Sequence, residues 1–181
     1  MTADRDAPEE IVWQGRYVVA KTRGRWEYVG RTRNIRAAVI LALIDGDVIL
    51  VEQYRVPMGR NCIELPAGLI GDEDGGEDED DLAAAGRELE EETGYRAGTL
   101  EDCGTFHSSP GMVSESFTLV RATHLEQVGE GGGTESEDIA VHRVARAELA
   151  SFLERKRGEG CGVDVRLLLL LGQDILSGET K

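Results

Sequence analysis

Hydrophobic residues in the first third of the chain follow the two-residue period of β-strands. Residues 11–22 are rich in β-branched and aromatic side chains, with Gly15 as a candidate turn or bulge, and residues 25–29 alternate as their hairpin partner. Residues 36–44 are almost continuously apolar, which predicts a strand buried on both faces. An Asp-Gly turn then leads into a returning strand at residues 47–56, whose polar end indicates a site nearby.

A helical pattern occupies residues 82–93. Leu82, Ala85 and Leu89 recur at helical spacing and form one apolar stripe. Gly94 directly follows the last periodic residue, which is typical of a helix C-terminus. We therefore predict a helix of about three turns that packs its stripe against the sheet.

The rest of the chain alternates between short strand patterns and helical patterns. The predicted strands are residues 62–65, 99–107, 115–122 and 139–144, and the predicted helices are residues 146–157 and 163–176. Two segments rich in Gly and acid, residues 71–81 and 129–136, are predicted to be flexible loops because they cannot bury enough surface to order themselves. The sum is an α/β (α+β) fold with a mixed sheet between helices and an N-terminal antiparallel β-hairpin. We expect residues 1–35 to form the hairpin region and residues 36–181 the main body of a single globular domain.

The composition excludes several classes of function. A net charge of -15 argues against binding nucleic acid through its phosphates and against an anionic membrane surface. The longest apolar run, residues 167–171, is far shorter than a membrane span requires. Residues 1–10 are polar and acidic, so no secretory signal peptide is expected there.

The cysteine and histidine residues indicate neither a disulfide framework nor a zinc site. The three cysteines are odd in number and far apart, and the three histidines are scattered. We expect reduced thiols in a cytoplasmic protein.

Carboxylates crowd one flank of the predicted helix. Glu88 and Glu92 are four residues apart and Glu91 is three from Glu88, a spacing at which like charges repel. The helix dipole also disfavours anions near its C-terminus. A hard divalent cation such as Mg²⁺ would relieve both effects, because it takes oxygen ligands. The alternative is a solvated acidic face.

The segment Arg87-Glu88-Leu89-x-Glu91-Glu92-x-Gly94-Tyr95, preceded by Glu79, resembles the signature box of the Nudix hydrolases. These enzymes cleave a nucleoside diphosphate linked to another moiety. The family box begins with a Gly six residues before its first Glu, where this chain has Glu73, so the acidic loop carries an insertion relative to the pattern. Further pieces resemble the ADP-ribose pyrophosphatase branch: Gln53-Tyr54-Arg55, Glu64-Leu65-Pro66-Ala67-Gly68 and Ser109-Pro110-Gly111, which places a proline 16 residues after Gly94.

The resemblance implies a metal site and a general base. It assigns Mg²⁺, with Mn²⁺ as the alternative, to the following oxygen ligands: Glu88, Glu92, Glu91, Glu79 and the carbonyl of Ala67. Arg87 is expected to pair with a box carboxylate, with a direct phosphate contact as the alternative. Glu115 is implied as the general base, and its alternative is simply the start of a strand on the solvent side.

The resemblance also implies substrate-binding residues. Arg55 is the candidate phosphate clamp, because a guanidinium binds phosphate with paired donors, and its alternative is an ion pair with Glu52 or Glu64. Pro110, Gly111 and Glu64 are counted with the substrate-binding residues on the same resemblance. Trp26 and Tyr28 are candidates for a platform under the base, contributed across a homodimer, with ordinary packing as the alternative.

The function implied is metal-dependent hydrolysis of ADP-ribose to AMP and ribose 5-phosphate. One alternative is GDP-mannose or another nucleoside diphosphate sugar. A second is a non-catalytic Nudix module that binds a ligand, which the retained Glu88, Glu91 and Glu92 disfavour. The expected partners are the small-molecule substrate and a second copy of the chain in the homodimer, with no nucleic acid and no membrane.

Overall fold

The computed structural model describes residues 4–32, 36–70, 80–134 and 137–177. The predicted ligand Glu79 and most of the acidic loop lie outside these residues. The strands are β1 (Glu9–Gln14), β2 (Val18–Arg23), β3 (Trp26–Arg31), β4 (Arg36–Ile44), β5 (Asp47–Arg55), β6 (Arg60–Glu64), β7 (Ala67–Ile70), β8 (Tyr95–His107), β9 (Ser116–Gln127), β10 (Ala140–Ala145) and β11 (Gly162–Val163). The helices are α1 (Asp81–Thr93), α2 (Leu149–Gly158) and α3 (Leu168–Ser177), with short 3-10 turns at Val56–Met58, Arg146–Glu148 and Val165–Leu167.

The main sheet is mixed, as predicted. Its central order is β11-β6-β5-β4-β9-β8, with β7 paired to β4 and β10 paired to β5. β4 runs parallel to β9, whereas it pairs antiparallel with β5 only beside their turn. The other end of β4 pairs with β7 instead. β4 and β5 therefore diverge away from the turn, and the cleft described below opens where they separate.

β4 is buried on both faces, which confirms its prediction from the continuous apolar run. Ala38, Ile40 and Ala42 pack on one side in a cluster with the stripe of α1. Val39 packs on the other side in a cluster that includes Leu153 of α2. The alternation of side chains along the strand explains why consecutive residues join different clusters.

The central helix begins and ends where the sequence predicts. The Asp80 side chain caps the first turn by accepting a hydrogen bond from the Ala83 N–H at 3.0 Å. Gly94 ends the helix with a φ of 73°, a left-handed conformation that favours glycine. Ala84, Ala85 and Leu89 are buried, so this stripe fixes which flank of α1 faces the cleft.

The N-terminal region, which the sequence predicts as a single hairpin, forms a three-stranded antiparallel sheet in the structure. Residues 11–22 form parts of two strands, because the chain turns at Gly15, whose N–H donates to the Val18 carbonyl at 2.9 Å. The division of the chain at residue 35 stays a prediction.

The C-terminal helix begins later than predicted. Gly162 and Val163 pair in parallel with β6 as β11, and the Asp164 side chain then caps a 3-10 turn, so α3 starts only at Leu168. Among the described residues, no helix is both long enough and apolar enough to cross a membrane.

Candidate active site

A cleft of about 900 Å³ opens between α1, the ends of β5 and β6, and the first residues of β7. Its volume lies in the range of small-molecule sites. Two loops complete its rim, one leading into β9 and one leading into β10, and the segment after β11 forms a further wall.

The carboxylates of α1 line this cleft beside β7. Glu88, Glu91 and Glu92 all face it, and the Ala67 N–H donates to Glu92 Oε2 at 3.0 Å. The backbone of β7 passes so close that a Cβ on Gly68 would lie 2.0 Å from Glu88 Cδ. The backbone at Ala67 and Gly68 therefore packs directly against the carboxylates of Glu92 and Glu88.

The pKa of Glu92 is strongly perturbed. Burial raises its pKa, the Ala67 N–H opposes that rise, and the charges of Glu88 and Glu137 add to it, so that the pKa reaches about 8. A bound cation would favour the ionised form and offset the cost of burial.

The donor set fits a hard divalent cation. Within the described residues, no three His, Cys, Asp or Glu side chains already form a closed set of metal ligands. Mg²⁺ does not require one, since it is commonly held by one or two carboxylates, with waters and substrate oxygens completing its shell. Oxygen donors from Glu88, Glu91 and Glu92 on one helix flank meet that requirement.

Arg87 pairs with its neighbouring carboxylates. Its Nη1 lies 2.9 Å from Glu88 Oε1 and 3.6 Å from Glu91 Oε2. This is the geometry expected for a residue that holds box carboxylates in place.

Arg55 forms the ion pair that was the alternative to a phosphate clamp. Its Nε and Nη2 donate to the two carboxylate oxygens of Glu64 at 2.6 and 2.8 Å. The Glu64 side chain is only 3% exposed, whereas that of Arg55 is 39% exposed and lines the cleft. Two of its five N–H donors are used in this pair, so Glu64 holds the guanidinium where it lines the cleft.

Glu115 lies at the rim of the cleft, immediately before β9. Its Oε1 accepts hydrogen bonds from Arg31 Nη2 at 2.5 Å and from Arg31 Nε at 3.0 Å. Arg31, the last residue of β3, was not singled out from the sequence. It brings the N-terminal sheet to the cleft.

The glycine-rich segment after β9 is docked on α1, which corrects the prediction of a flexible loop for its described part. The N–H groups of Gly132 and Gly133 donate to the carbonyls of Glu92 and Glu91 at 2.9 and 3.1 Å. Gly131 approaches so closely that a Cβ would lie 2.4 Å from the Thr93 carbonyl carbon. These bonds satisfy carbonyls that the end of a helix leaves without partners.

This docking places Glu137 in the cleft, a residue that the sequence reasoning missed. Glu137 Oε2 accepts from the N–H and hydroxyl of Thr134 at 2.9 and 3.1 Å. The only signal in the sequence was an acid shortly before a strand, at the end of a glycine run.

The family is decided by comparison with known proteins. The model of the NUDIX domain matches residues 33–159, which is well over half of the chain. The protein belongs to the Nudix family. The resemblance drawn from the box at Arg87–Tyr95 is thereby confirmed.

Individual Nudix relatives agree with this placement. The chain is 34% identical over 160 residues to an uncharacterized Nudix hydrolase of Schizosaccharomyces pombe, covering 78% of this chain and 73% of that protein. It is 41% identical over 122 residues to the ADP-ribose pyrophosphatase of Bacillus subtilis, covering 66% of this chain and 63% of that protein. A crystal structure of an ADP compounds hydrolase superposes with a TM-score of 0.68 at 23% identity, covering 96% of this chain and 95% of that one, and so supports the fold.

The remaining predicted substrate residues of this Nudix protein lie outside the cleft lining. Pro110 and Gly111 are not among the lining residues, although Ser108 of the same loop is. Trp26 and Tyr28 lie on β3, where Trp26 is 54% exposed and the Tyr28 hydroxyl donates to Glu9. Within one copy of the chain, these two rings do not form a wall of the site.

Proposed function

We propose that this Nudix protein hydrolyses the diphosphate bond of a nucleoside diphosphate sugar, with ADP-ribose as its substrate. The observation that carries the proposal is the cleft itself, which sets the carboxylates of α1 and the guanidinium of Arg55 around one space of about 900 Å³. A diphosphate repels the hydroxide that must attack it, and a chain of net charge -15 needs local cations to bind it. The cleft offers arginine side chains, Arg55 among them, and oxygen ligands for a metal ion.

We assign the metal to Mg²⁺, with Mn²⁺ as a substitute. Glu88 and Glu92 would hold it, with Glu91 and the Ala67 carbonyl as further oxygen ligands. When bound, a divalent ion polarises a phosphoryl oxygen and lowers the pKa of a water. Arg87 keeps two of these carboxylates in position through its ion pairs.

In this cleft we favour Glu137 as the general base over Glu115, the residue implied by the family resemblance. Glu115 Oε1 accepts two hydrogen bonds from the Arg31 guanidinium, so this carboxylate is held in an ion pair at the rim of the cleft. Glu137 accepts hydrogen bonds from the N–H and hydroxyl of Thr134, and its charge lies close enough to Glu92 to contribute to the raised pKa of that carboxyl. In the reaction, the water oxygen bonds to phosphorus, its proton passes to the base, and the bridging P–O bond breaks.

ADP-ribose would yield AMP and ribose 5-phosphate. The choice of ADP-ribose as the substrate is supported by the 41% identity to an ADP-ribose pyrophosphatase. It is also supported by the segment Gln53-Tyr54-Arg55 at the end of β5, where Gln53 and Arg55 line the cleft. GDP-mannose keeps the same chemistry with another base and sugar.

The test is a panel of nucleoside diphosphate sugars assayed with Mg²⁺, comparing kcat/KM. We expect ADP-ribose to have the highest kcat/KM, and a much higher kcat/KM for GDP-mannose would refute ADP-ribose as the substrate.

Glu92→Gln should lower turnover by orders of magnitude. Glu90→Gln is the matched control, because Glu90 is on the same helix but pairs with Arg96 on the surface at 2.8 Å. Binding of ADP-ribose without any turnover would instead indicate a ligand-binding module.

We propose a homodimer formed through the N-terminal sheet. Ile11, Val12 and Trp13 of β1 and Trp26 of β3 are each more than half exposed in the single chain. Exposed apolar patches of this kind are typical of interaction surfaces. Light scattering coupled to size exclusion would give twice the mass of the chain, and a monomer at micromolar concentration would refute the proposal.

A cytoplasmic location is also part of the proposal. The three cysteines are free thiols, one buried, one intermediate and one exposed, as expected in a reducing compartment.

A further inference from the structure

The lining of the cleft contains a chain of four alternating charges. Arg55, Glu64, Arg166 and Asp164 all line the cleft and are linked in that order by ion pairs. Two of these residues come from the segment just after β11, which lies beyond residue 159, where the matched Nudix region ends. The C-terminal segment therefore supplies part of the site.

Arg166 is held in position by the carboxylate of Asp164 and by the ring of Phe117. Its Nε and Nη2 donate to the two oxygens of Asp164 at 2.6 and 2.8 Å, and Asp164 is itself tied to β6 by an N–H bond to the Ile63 carbonyl at 3.0 Å. The guanidinium also lies over the ring of Phe117, 5.8 Å from its centroid. A charge fixed in this way is pre-organised before any ligand arrives.

Arg166 shares the carboxylate of Glu64 with Arg55. Glu64 Oε2 accepts from Arg55 Nη2 at 2.8 Å and from Arg166 Nη2 at 3.3 Å. Glu64 is almost fully buried, and a buried carboxylate without a counter-charge is strongly unfavourable. If Arg55 were its only partner, any anion that attracted Arg55 would have to compete with Glu64.

We propose that Arg166 is a positioning residue for substrate binding: it keeps buried Glu64 neutralised, so that Arg55 can turn its guanidinium toward the diphosphate. The inference rests on the proposed function in taking a diphosphate as the ligand. Arg166 itself is not the clamp. It is less exposed than Arg55, and its Nε and Nη2 are held by Asp164 and Glu64.

The proposal makes a prediction about two residues together. In R166Q, Glu64 depends on Arg55 alone and withholds it from the substrate, so KM should rise. In the double variant E64Q/R166Q the charge of Glu64 is gone, so Arg55 is released and KM should fall back toward the wild-type value. A purely structural role for Arg166 predicts the opposite, because a second substitution in the same network would add to the damage.

The experiment measures kcat and KM for wild type, R166Q, E64Q/R166Q and R166K, using the best substrate of the panel. We expect R166Q to raise KM about tenfold, equivalent to ~1.4 kcal/mol, with kcat changed by less than about twofold. R166K should lie between wild type and R166Q, because an ammonium keeps the charge but cannot bridge two carboxylates with a planar fork. R157Q is the control, since Arg157 is exposed on α2 and is not a cleft residue, and it should match wild type.

Two outcomes would overturn the inference: an unchanged KM in R166Q, or a KM in E64Q/R166Q no lower than in R166Q. If R166Q does not fold, the pair R166K and E64Q/R166K carries the same comparison. If wild type hydrolyses none of the panel, the proposed function has failed, and inorganic pyrophosphate then serves as the probe. Its stabilising shift in Tm should be reduced in R166Q and restored in E64Q/R166Q, and a shift equal in all three proteins would refute the role of Arg166.

Discussion

Replacing Glu92 by Gln should stabilise the metal-free protein while it removes activity. Glu92 is 4% exposed and accepts one hydrogen bond from the Ala67 N–H, which the amide oxygen of Gln can also accept. Gln carries no charge and has nearly the same shape, so the change removes the cost of a buried carboxylate and leaves its contacts in place.

The magnitude follows from the pKa of Glu92. The ordinary value of 4.5 rises to about 8, so the folded protein binds more protons than the unfolded chain between these two values. The stability that the wild-type fold gains from this extra proton on Glu92 is therefore complete below pH 4.5 and is lost as pH rises through about 8. At about 1.36 kcal/mol per pKa unit, the raised pKa of Glu92 costs the metal-free fold about 2 kcal/mol at pH 6 and about 4 to 5 kcal/mol at pH 8.5, relative to a group with an unshifted pKa. The stability difference between E92Q and wild type should thus widen by about 2 to 3 kcal/mol over this range.

Urea denaturation in EDTA at both pH values measures this difference directly. Saturating Mg²⁺ should then raise the Tm of wild type more than that of E92Q, because a ligand stabilises only the state that binds it. E90Q, at the exposed ion pair with Arg96, should show neither the widening nor the altered response to Mg²⁺. A stability difference between E92Q and wild type that is the same at pH 6 and pH 8.5 would refute the assignment of a strongly raised pKa to Glu92.

Three further substitutions probe the backbone and the charge network. Gly68→Ala should lower kcat/KM at least about tenfold, because its methyl group would lie 2.0 Å from Glu88 Cδ, whereas Gly158→Ala, with nothing within 4 Å, should leave kcat/KM unchanged. Gly131→Ala should lower kcat by releasing the segment docked on α1, since its φ of +70° and a 2.4 Å contact both exclude a Cβ, and unchanged kcat would contradict the docking. Burial alone would raise the pKa of Glu52, but hydrogen bonds from four neighbours lower it to about 2, so Glu52→Gln should cost about 1 to 3 kcal/mol at pH 7 in urea denaturation. That loss should shrink as pH falls from 4.5 toward 2, and a constant loss would show that the charge of Glu52 is not responsible.

Several parts of the fold were predictable because they depend on residues close together in sequence. The bounds of α1 follow from its stripe, its cap at Asp80 and its stop at Gly94, and β4 follows from one apolar run. The N-terminal sheet was harder to predict, since Gly15 fits a bulge as well as a turn, and only pairing partners distinguish the two.

The candidate site also has one part that the sequence predicts and another that depends on the tertiary structure. Helical spacing alone places Glu88, Glu91 and Glu92 on one flank, so the sequence predicts an acidic site on this helix. By contrast, Arg31 meets Glu115 across 84 residues and Arg166 meets Glu64 across 102. No local pattern encodes such pairs, because they depend on which strand ends the sheet topology brings to the cleft.

The glycine run before Glu137 shows most clearly where the sequence stops being informative. Its composition is that of a flexible loop, because glycine has the most conformational freedom to lose. In the structure, the same freedom lets Gly131, Gly132 and Gly133 adopt positive φ, and the N–H groups of Gly132 and Gly133 reach the carbonyls at the end of α1. The sequence by itself determined a helix that gathers three carboxylates on one flank. Only tertiary structure decided which charges from distant segments face it, because those contacts form when the sheet brings chain ends together.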